Sequence, residues 1–128
     1  MNRYGIQKEI TGDFATVITR VKDALQQEGF GVLTEINVQD IFKEKLDIDY
    51  PRYYILGACH PSSAYAVLQK EPSIGLLLPC NVIVYQKNSA VSIEAIRPTV
   101  AMEMVENKDI AKTAQEVERK LERAIESL

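Results

Sequence analysis

The spacing of apolar residues changes between two periods along this chain. Residues 4–10 and 90–96 carry apolar side chains at alternating positions, whereas residues 14–25 and 109–128 carry them at every third or fourth position. The first period is that of a half-buried strand and the second that of an amphipathic helix. The whole pattern predicts the order strand, helix, strand, short helix, strand, helix, strand, strand, helix. We expect an α+β fold in two layers, with a mostly antiparallel sheet of about five strands and helices packed on one face.

Length and charge restrict the class of protein. A chain of 128 residues favours one domain, spanning 1–128, which is large enough to bury a core without staples. A net charge of -3 argues against a nucleic-acid partner, which selects for a basic face. No apolar run approaches the roughly 20 residues of a membrane span, and the first residues lack a secretory apolar stretch. We therefore expect a cytoplasmic protein with no membrane partner.

Capping residues and turn residues set the element boundaries. Asp13 is a helix N-cap, and Gly29 suits the left-handed position after the end of the same helix. Asn37 caps the short helix, and Pro61 suits the first turn of the next one. Because the chain opens with a strand–helix–strand unit, its two strands are also compatible with parallel pairing through a right-handed crossover.

Three patterns predict which side chains face inward. Alternation places Phe30, Val32, Thr34 and Ile36 on one face of the second strand. The third helix has an inner stripe of Ala64, Tyr65 and Leu68. Residues 76–85 are almost continuously apolar, which is typical of a strand covered on both faces.

The candidate reactive groups are few. The chain has one histidine, His60, next to one of its two cysteines, Cys59, and the other cysteine is Cys80. If the third and fourth strands pair, the two thiols lie close together as a redox pair, a reactive thiol with a helper, or soft ligands. Alternatively, both are small buried hydrophobes, as free cysteines often are. Two Cys and one His do not complete a structural zinc site, so we expect no metal and no cofactor.

Two polar residues interrupt apolar strands and complete the candidate site. Glu35 lies beside Ile36, and Asn81 follows Cys80 in an apolar run. A carboxylate on a solvated strand face and a buried amide bonded to backbone are the plainer interpretations. The ligand hypothesis is a small cleft, and it has five candidate residues: Glu35, Cys59, His60, Cys80 and Asn81. No Gly-x-Ser-x-Gly elbow or convincing carboxylate pair accompanies them, so no catalytic residue is predicted.

Four segments in order resemble the domain of unknown function 302 family, over nearly the whole chain. They are GFGVLTEI at 29–36, FKEKL at 42–46, YYILGACHP at 53–61 and GLLLPCNV at 75–82. The resemblance implies a compact α+β fold with a β-α-β-β-β-β-α-like core and a dimer, in a family found mainly in bacteria and archaea. It brings no established activity and therefore no catalytic residues.

The resemblance can be compared at individual positions of the family pattern. Glu35, Cys59, Cys80 and Asn81 agree with it. His60 stands where relatives often carry asparagine, and Arg97 stands where an aspartate is frequent. A mechanism that requires an imidazole at 60 or an acid at 97 is weakened accordingly.

The leading functional interpretation is a non-enzymatic homodimer that binds a small ligand or serves as an assembly module. Its partners are a second copy of the chain and a small molecule. One alternative is a thiol-dependent protein that handles sulfur or electrophiles through Cys59 or Cys80. A purely structural dimer without a ligand is the other alternative.

Overall fold

The computed structural model describes residues 2–128. Its strands are β1 (Gly5–Ile10), β2 (Gly31–Asn37), β3 (Tyr53–Cys59), β4 (Cys80–Lys87) and β5 (Ala90–Ile96). Its α-helices are α1 (Phe14–Gln27), α2 (Val38–Leu46), α3 (Pro61–Lys70), α4 (Pro98–Ala101) and α5 (Lys108–Glu126). A short 3₁₀ helix covers Pro72–Leu77. None of the helices within residues 2–128 combines the length and the apolar character needed to cross a membrane.

The strands form one five-stranded sheet in the order β1-β5-β4-β3-β2, and every neighbouring pair is antiparallel. The α+β class with a mostly antiparallel sheet is thus confirmed. The parallel alternative for the first two strands is wrong, because β1 and β2 lie at opposite edges. Lys8 of β1 faces the helical layer, where its ammonium donates to the carbonyls of Glu126 and Leu128 at 3.0 and 2.7 Å. Both oxygens lie at the carboxyl end of α5, where a cation is stabilised.

One face of the sheet packs against α1 and α5. The buried stripe of α1 is the predicted one, and it consists of Phe14, Val17, Ile18, Val21 and Leu25. The predicted caps are confirmed as well: Asp13 accepts from the amide of Thr16, and Gly29 has a φ of 88°. The amide of Phe30 donates to the carbonyl of Leu25 at 2.9 Å, which closes the helix in the manner of a Schellman motif.

The structure corrects two of the predicted inward faces. The strand β4 begins only at Cys80, because residues 72–77 form the 3₁₀ helix. Along β4, Val82 and Val84 are fully buried whereas Ile83 is only half-buried, so helices cover one face rather than both. In α3 the buried residue is Val67, and Tyr65 is exposed.

A β-bulge at Leu33 changes the alternation of β2. Val32 pairs with Ala58, but Thr34 pairs with Gly57, whereas regular pairing would give Leu56. Residues after the bulge therefore exchange faces. Ile36 lies on the face opposite the helices, in register with Ile55, and the predicted single face of β2 is wrong beyond Val32.

Candidate functional site

A cavity of about 300 Å³ lies where the ends of β2, β3 and β4 meet α3, α4 and α5. Its walls are apolar and include Val67 of α3, Pro98 of α4 and Val117 of α5, all buried. Leu33, the exposed bulge residue, also lines it. The polar groups on the lining are few, and they are Thr34, Cys59, His60, Ser63, Cys80 and Thr113.

The pairing of β3 with β4 brings the two cysteines to the same cavity. Ala58 pairs with Cys80, so Cys59 is one residue from the cross-strand partner of Cys80. Both thiols are free, and both residues are half-buried. Burial raises the pKa of the Cys80 thiol to about 11, and the neighbouring Cys59 adds to this shift. The thiol form of Cys80 is therefore the one present at neutral pH.

His60 occupies the N-cap position of α3 without capping it by its side chain. Its ring packs edge-on against Phe30, with the centroids 5.3 Å apart. A Cβ on Gly29 would lie 2.9 Å from Nε2 of His60, so the end of α1 also fits closely against the ring. The imidazole is thus held by the turn between α1 and β2.

Hydrogen bonds connect His60 to α3 and α5. Nδ1 of His60 lies 2.9 Å from Oγ of Ser63 and 3.4 Å from Oγ of Ser62. Nε2 of His60 lies 3.2 Å from Nζ of Lys120. Desolvation and then the charge of Lys120 lower the pKa of His60 below its ordinary value. The neutral imidazole is accordingly favoured in the fold.

The structure places Glu35 outside the cavity. The bulge turns this residue toward the helical face, where it pairs across the strands with buried Leu56. Its carboxylate accepts from Nζ of Lys22 on α1 at 2.8 Å. A separate surface depression that includes Phe14 contains it. Glu35 is therefore not an acceptor opposite the cysteines.

Asn81 also lies outside the cavity. It pairs with Gly57 on the face of the sheet away from the helices, and it is exposed. Because solvent can satisfy an exposed amide, Asn81 does not need the buried partners that the apolar run suggested. Of the five candidate residues, the structure brings together Cys59, His60 and Cys80.

Two polar residues of this region were not among the candidates. Ser63 lies in the first turn of α3, and its hydrogen bond to His60 depends on the conformation of the N-cap. Lys120 is one of several charged residues on α5, and its spacing along the helix does not distinguish it from the others. Within residues 2–128, no group of three or more His, Cys, Asp or Glu side chains is arranged to hold a metal ion.

The fold and the cavity define a small two-layer α+β domain with an apolar, sparsely polar recess at one end of its sheet. The family model for "Domain of unknown function DUF302" matches residues 6–128, and the chain belongs to this family. A solved structure, an uncharacterized conserved DUF302 protein from Bacillus stearothermophilus, is similar to it with a TM-score of 0.90 and 28% sequence identity. The similarity covers 98% of each chain. No curated protein sequence is significantly similar to this chain.

Proposed function

We propose that this protein binds a small, largely apolar molecule in the cavity between α3, α5 and the sheet. The observation that carries the proposal is the cavity itself, about 300 Å³ in volume and lined mainly by aliphatic side chains. This is the lower end of the range for small-molecule sites, which are apolar with a few placed polar groups.

Packing energetics support an occupant. Protein interiors are filled to crystal-like density, and the residues around an unfilled apolar cavity lose dispersion contacts. An apolar molecule of matching size restores those contacts and removes its own surface from water. Among the described residues, the lining carries His60 and Ser63 but no Asp or Glu beside them, and the geometry therefore favours binding.

The test uses α-methylstyrene as a neutral apolar probe and measures its dissociation constant by NMR titration. Ala64 lines the cavity on α3, and Ala64→Leu fills part of it. We expect this variant to bind the probe at least about ten-fold more weakly. Ala66→Leu, on the same helix but outside the lining, is the matched control and should bind as the wild type does. Equal binding by Ala64→Leu and wild type would exclude the cavity as the site.

We also propose that the protein is a homodimer, joined through the sheet face that the helices leave uncovered. Ile36, Ile55 and Ile83 pair in one row across β2, β3 and β4 on that face. Ile36 is 41% exposed, and the other two are half-buried. Further exposed apolar side chains follow in α2 and the loop after it, and they are Ile41, Leu46, Ile48 and Tyr50.

The symmetry of this row favours a second copy as the occupant. Ile55 pairs with Ile36 on one side and with Ile83 on the other, so it is the middle of the row. A two-fold axis parallel to the strands and passing over Ile55 reverses the row, which brings Ile36 of one copy over Ile83 of the other. The apolar row is therefore complementary to a second copy of itself.

Sedimentation analysis tests the dimer. We expect a dimer at a concentration on the order of tens of micromolar, and Ile36→Glu should convert it to a monomer. Leu76→Glu introduces the same charge at a side chain that is 88% exposed in the 3₁₀ helix, and it should leave the dimer intact. A monomeric wild type would contradict the proposal.

Thiol chemistry is the second candidate function, and the position of Cys59 beside an apolar cavity favours it. The substrate class is an apolar α,β-unsaturated carbonyl compound, which the cavity would concentrate near the thiol. In this addition Sγ of Cys59 bonds to the β-carbon, the π pair moves to the α-carbon, and the thiol proton ends there.

Intact-mass measurement after exposure to cyclohexenone tests this reaction. We expect one adduct, which Cys59→Ser should lack and Cys80→Ser should retain. A wild type without an adduct would contradict it.

A further inference from the structure

The direction of the hydrogen bonds around His60 determines what the Ser63 hydroxyl can offer to the cavity. A lysine ammonium has three donors and no acceptor, so Nε2 of His60 accepts from Lys120 at 3.2 Å. In a neutral imidazole that accepts at Nε2, the proton resides on Nδ1. Nδ1 therefore donates to Oγ of Ser63, 2.9 Å away.

The Ser63 hydroxyl proton is consequently left without a partner on the histidine. Ser63 lines the cavity, and His60 is the one side-chain hydrogen-bond partner of its Oγ in the described part of the chain. The hydroxyl of Thr113 donates to the carbonyl of Asp109 at 3.2 Å. The hydroxyl of Thr34 lies over Gly57, on the face of the sheet away from the helices. Ser63 thus presents an O–H donor to a space whose other walls are mainly apolar.

We infer that the ligand carries a carbonyl or carboxylate oxygen at one end of an apolar body, and that this oxygen accepts from the Ser63 hydroxyl. Lys120 is a positioning residue, because it fixes the tautomer of His60 and does not itself line the cavity. This inference rests on the proposed binding function. It adds the polar end of the ligand and the chain of groups, Lys120, His60 and Ser63, that recognises it.

Two isosteric probes test the acceptor. Acetophenone carries a C=O group where α-methylstyrene carries C=CH₂, so the ratio of their dissociation constants isolates the oxygen. Removing the donor with Ser63→Ala should lower the preference for acetophenone by about five-fold, the size of one neutral hydrogen bond. Thr34→Val and Thr113→Val are the matched controls on the lining, and both should leave the ratio unchanged. If Thr34→Val lowers it instead, the assignment to Ser63 is wrong.

The position of the proton on the His60 ring can be measured directly. It would not depend on Lys120 if this lysine had only a structural role. The ¹⁵N chemical shifts of His60 should show the proton on Nδ1 in the wild type. Lys120→Met removes the donor to Nε2, so the proton should redistribute to Nε2 and the preference for acetophenone should fall as in Ser63→Ala. Lys120→Arg keeps a donor, so the proton should return to Nδ1 and the preference for acetophenone should return to its wild-type value. A wild type with its proton on Nε2 would overturn the inference.

The outcomes separate this inference from the proposed function. One result would be that α-methylstyrene binds and Ala64→Leu weakens its binding, while Ser63→Ala leaves the ratio of dissociation constants unchanged. The cavity would then be a binding site, but the inference that a ligand oxygen accepts from Ser63 would be wrong. If neither probe binds the wild type, both the binding function and the acceptor are overturned.

Discussion

Nζ of Lys120 lies 3.2 Å from Nε2 of His60, so a cation on the last helix faces the ring at the start of the third helix. Desolvation and this cation both lower the pKa of His60 below its ordinary value of 6.5. As the pH falls, the unfolded chain binds the proton before the folded chain does. The stability contributed by neutral His60 is therefore complete above the unfolded pKa and decreases as the pH falls through it toward the folded pKa.

An NMR titration of the His60 ring checks this relationship. We expect a midpoint below 6.5, and a midpoint in Lys120→Met that moves part of the way back, because desolvation remains. In His60→Asn, the decrease in the free energy of unfolding that His60 protonation causes at low pH should disappear. A midpoint above 6.5 in the wild type would contradict the prediction.

The Cys80 thiol should react slowly with alkylating agents. With a pKa of about 11, only about one thiol in a thousand is ionised at pH 8. In the Cys59→Ser variant, the rate of reaction with iodoacetamide should rise about ten-fold per pH unit between roughly pH 8 and 10. Unfolding the same variant in urea should restore the reactivity of an ordinary thiol. A rate that levels off below about pH 9 would show that burial does not control this group.

Gly29→Ala should destabilise the protein and disturb His60 together. The backbone at Gly29 has a φ of 88°, and the added Cβ would meet the imidazole at 2.9 Å. We expect a loss of about 1 kcal/mol or more in urea denaturation. Gly31→Ala is the control two residues away, where a Cβ meets no atom within 4 Å, and its effect should stay within about 0.5 kcal/mol. Equal effects of the two changes would be inconsistent with the contact.

Glu118→Ala should loosen α4, which supplies Pro98 to the cavity wall. The Glu118 carboxylate accepts from the amide and the hydroxyl of Thr99 at 3.1 and 2.6 Å. Losing these charge-assisted bonds should cost about 1–3 kcal/mol in urea denaturation. Glu116→Ala, at an exposed position of α5, should be nearly neutral. A neutral Glu118→Ala would show that the short helix does not depend on this carboxylate.

The parts of the fold that the sequence predicts are those with local causes. The stripe of α1 and its caps depend on spacing, a carboxylate at Asp13 and a glycine at 29, so neighbouring residues suffice to predict them. The hairpin between β4 and β5 is similar, since Asn88 takes the left-handed conformation that its residue type tolerates.

The remaining features depend on contacts between distant segments. The bulge at Leu33 has no signature in the residues of β2, yet it decides that Glu35 faces Lys22 on the helical side rather than the uncovered face of the sheet. The short helix α4 was not predicted, because four residues are too few for a period. The predicted cleft matches the cavity only at Cys59, His60 and Cys80, because the rest of the lining comes from elements far apart in the chain.

The cavity walls come from chain segments that begin at β2 and end in α5. A chain in which α5 has detached therefore has no cavity, and a bound molecule adds its binding free energy only to the closed state. Native-state hydrogen exchange should then separate two kinds of opening. Amides of α5 that exchange when this helix detaches should exchange more slowly as the ligand concentration rises. Amides that exchange through fraying of β1, which contributes no wall residue, should keep their rates.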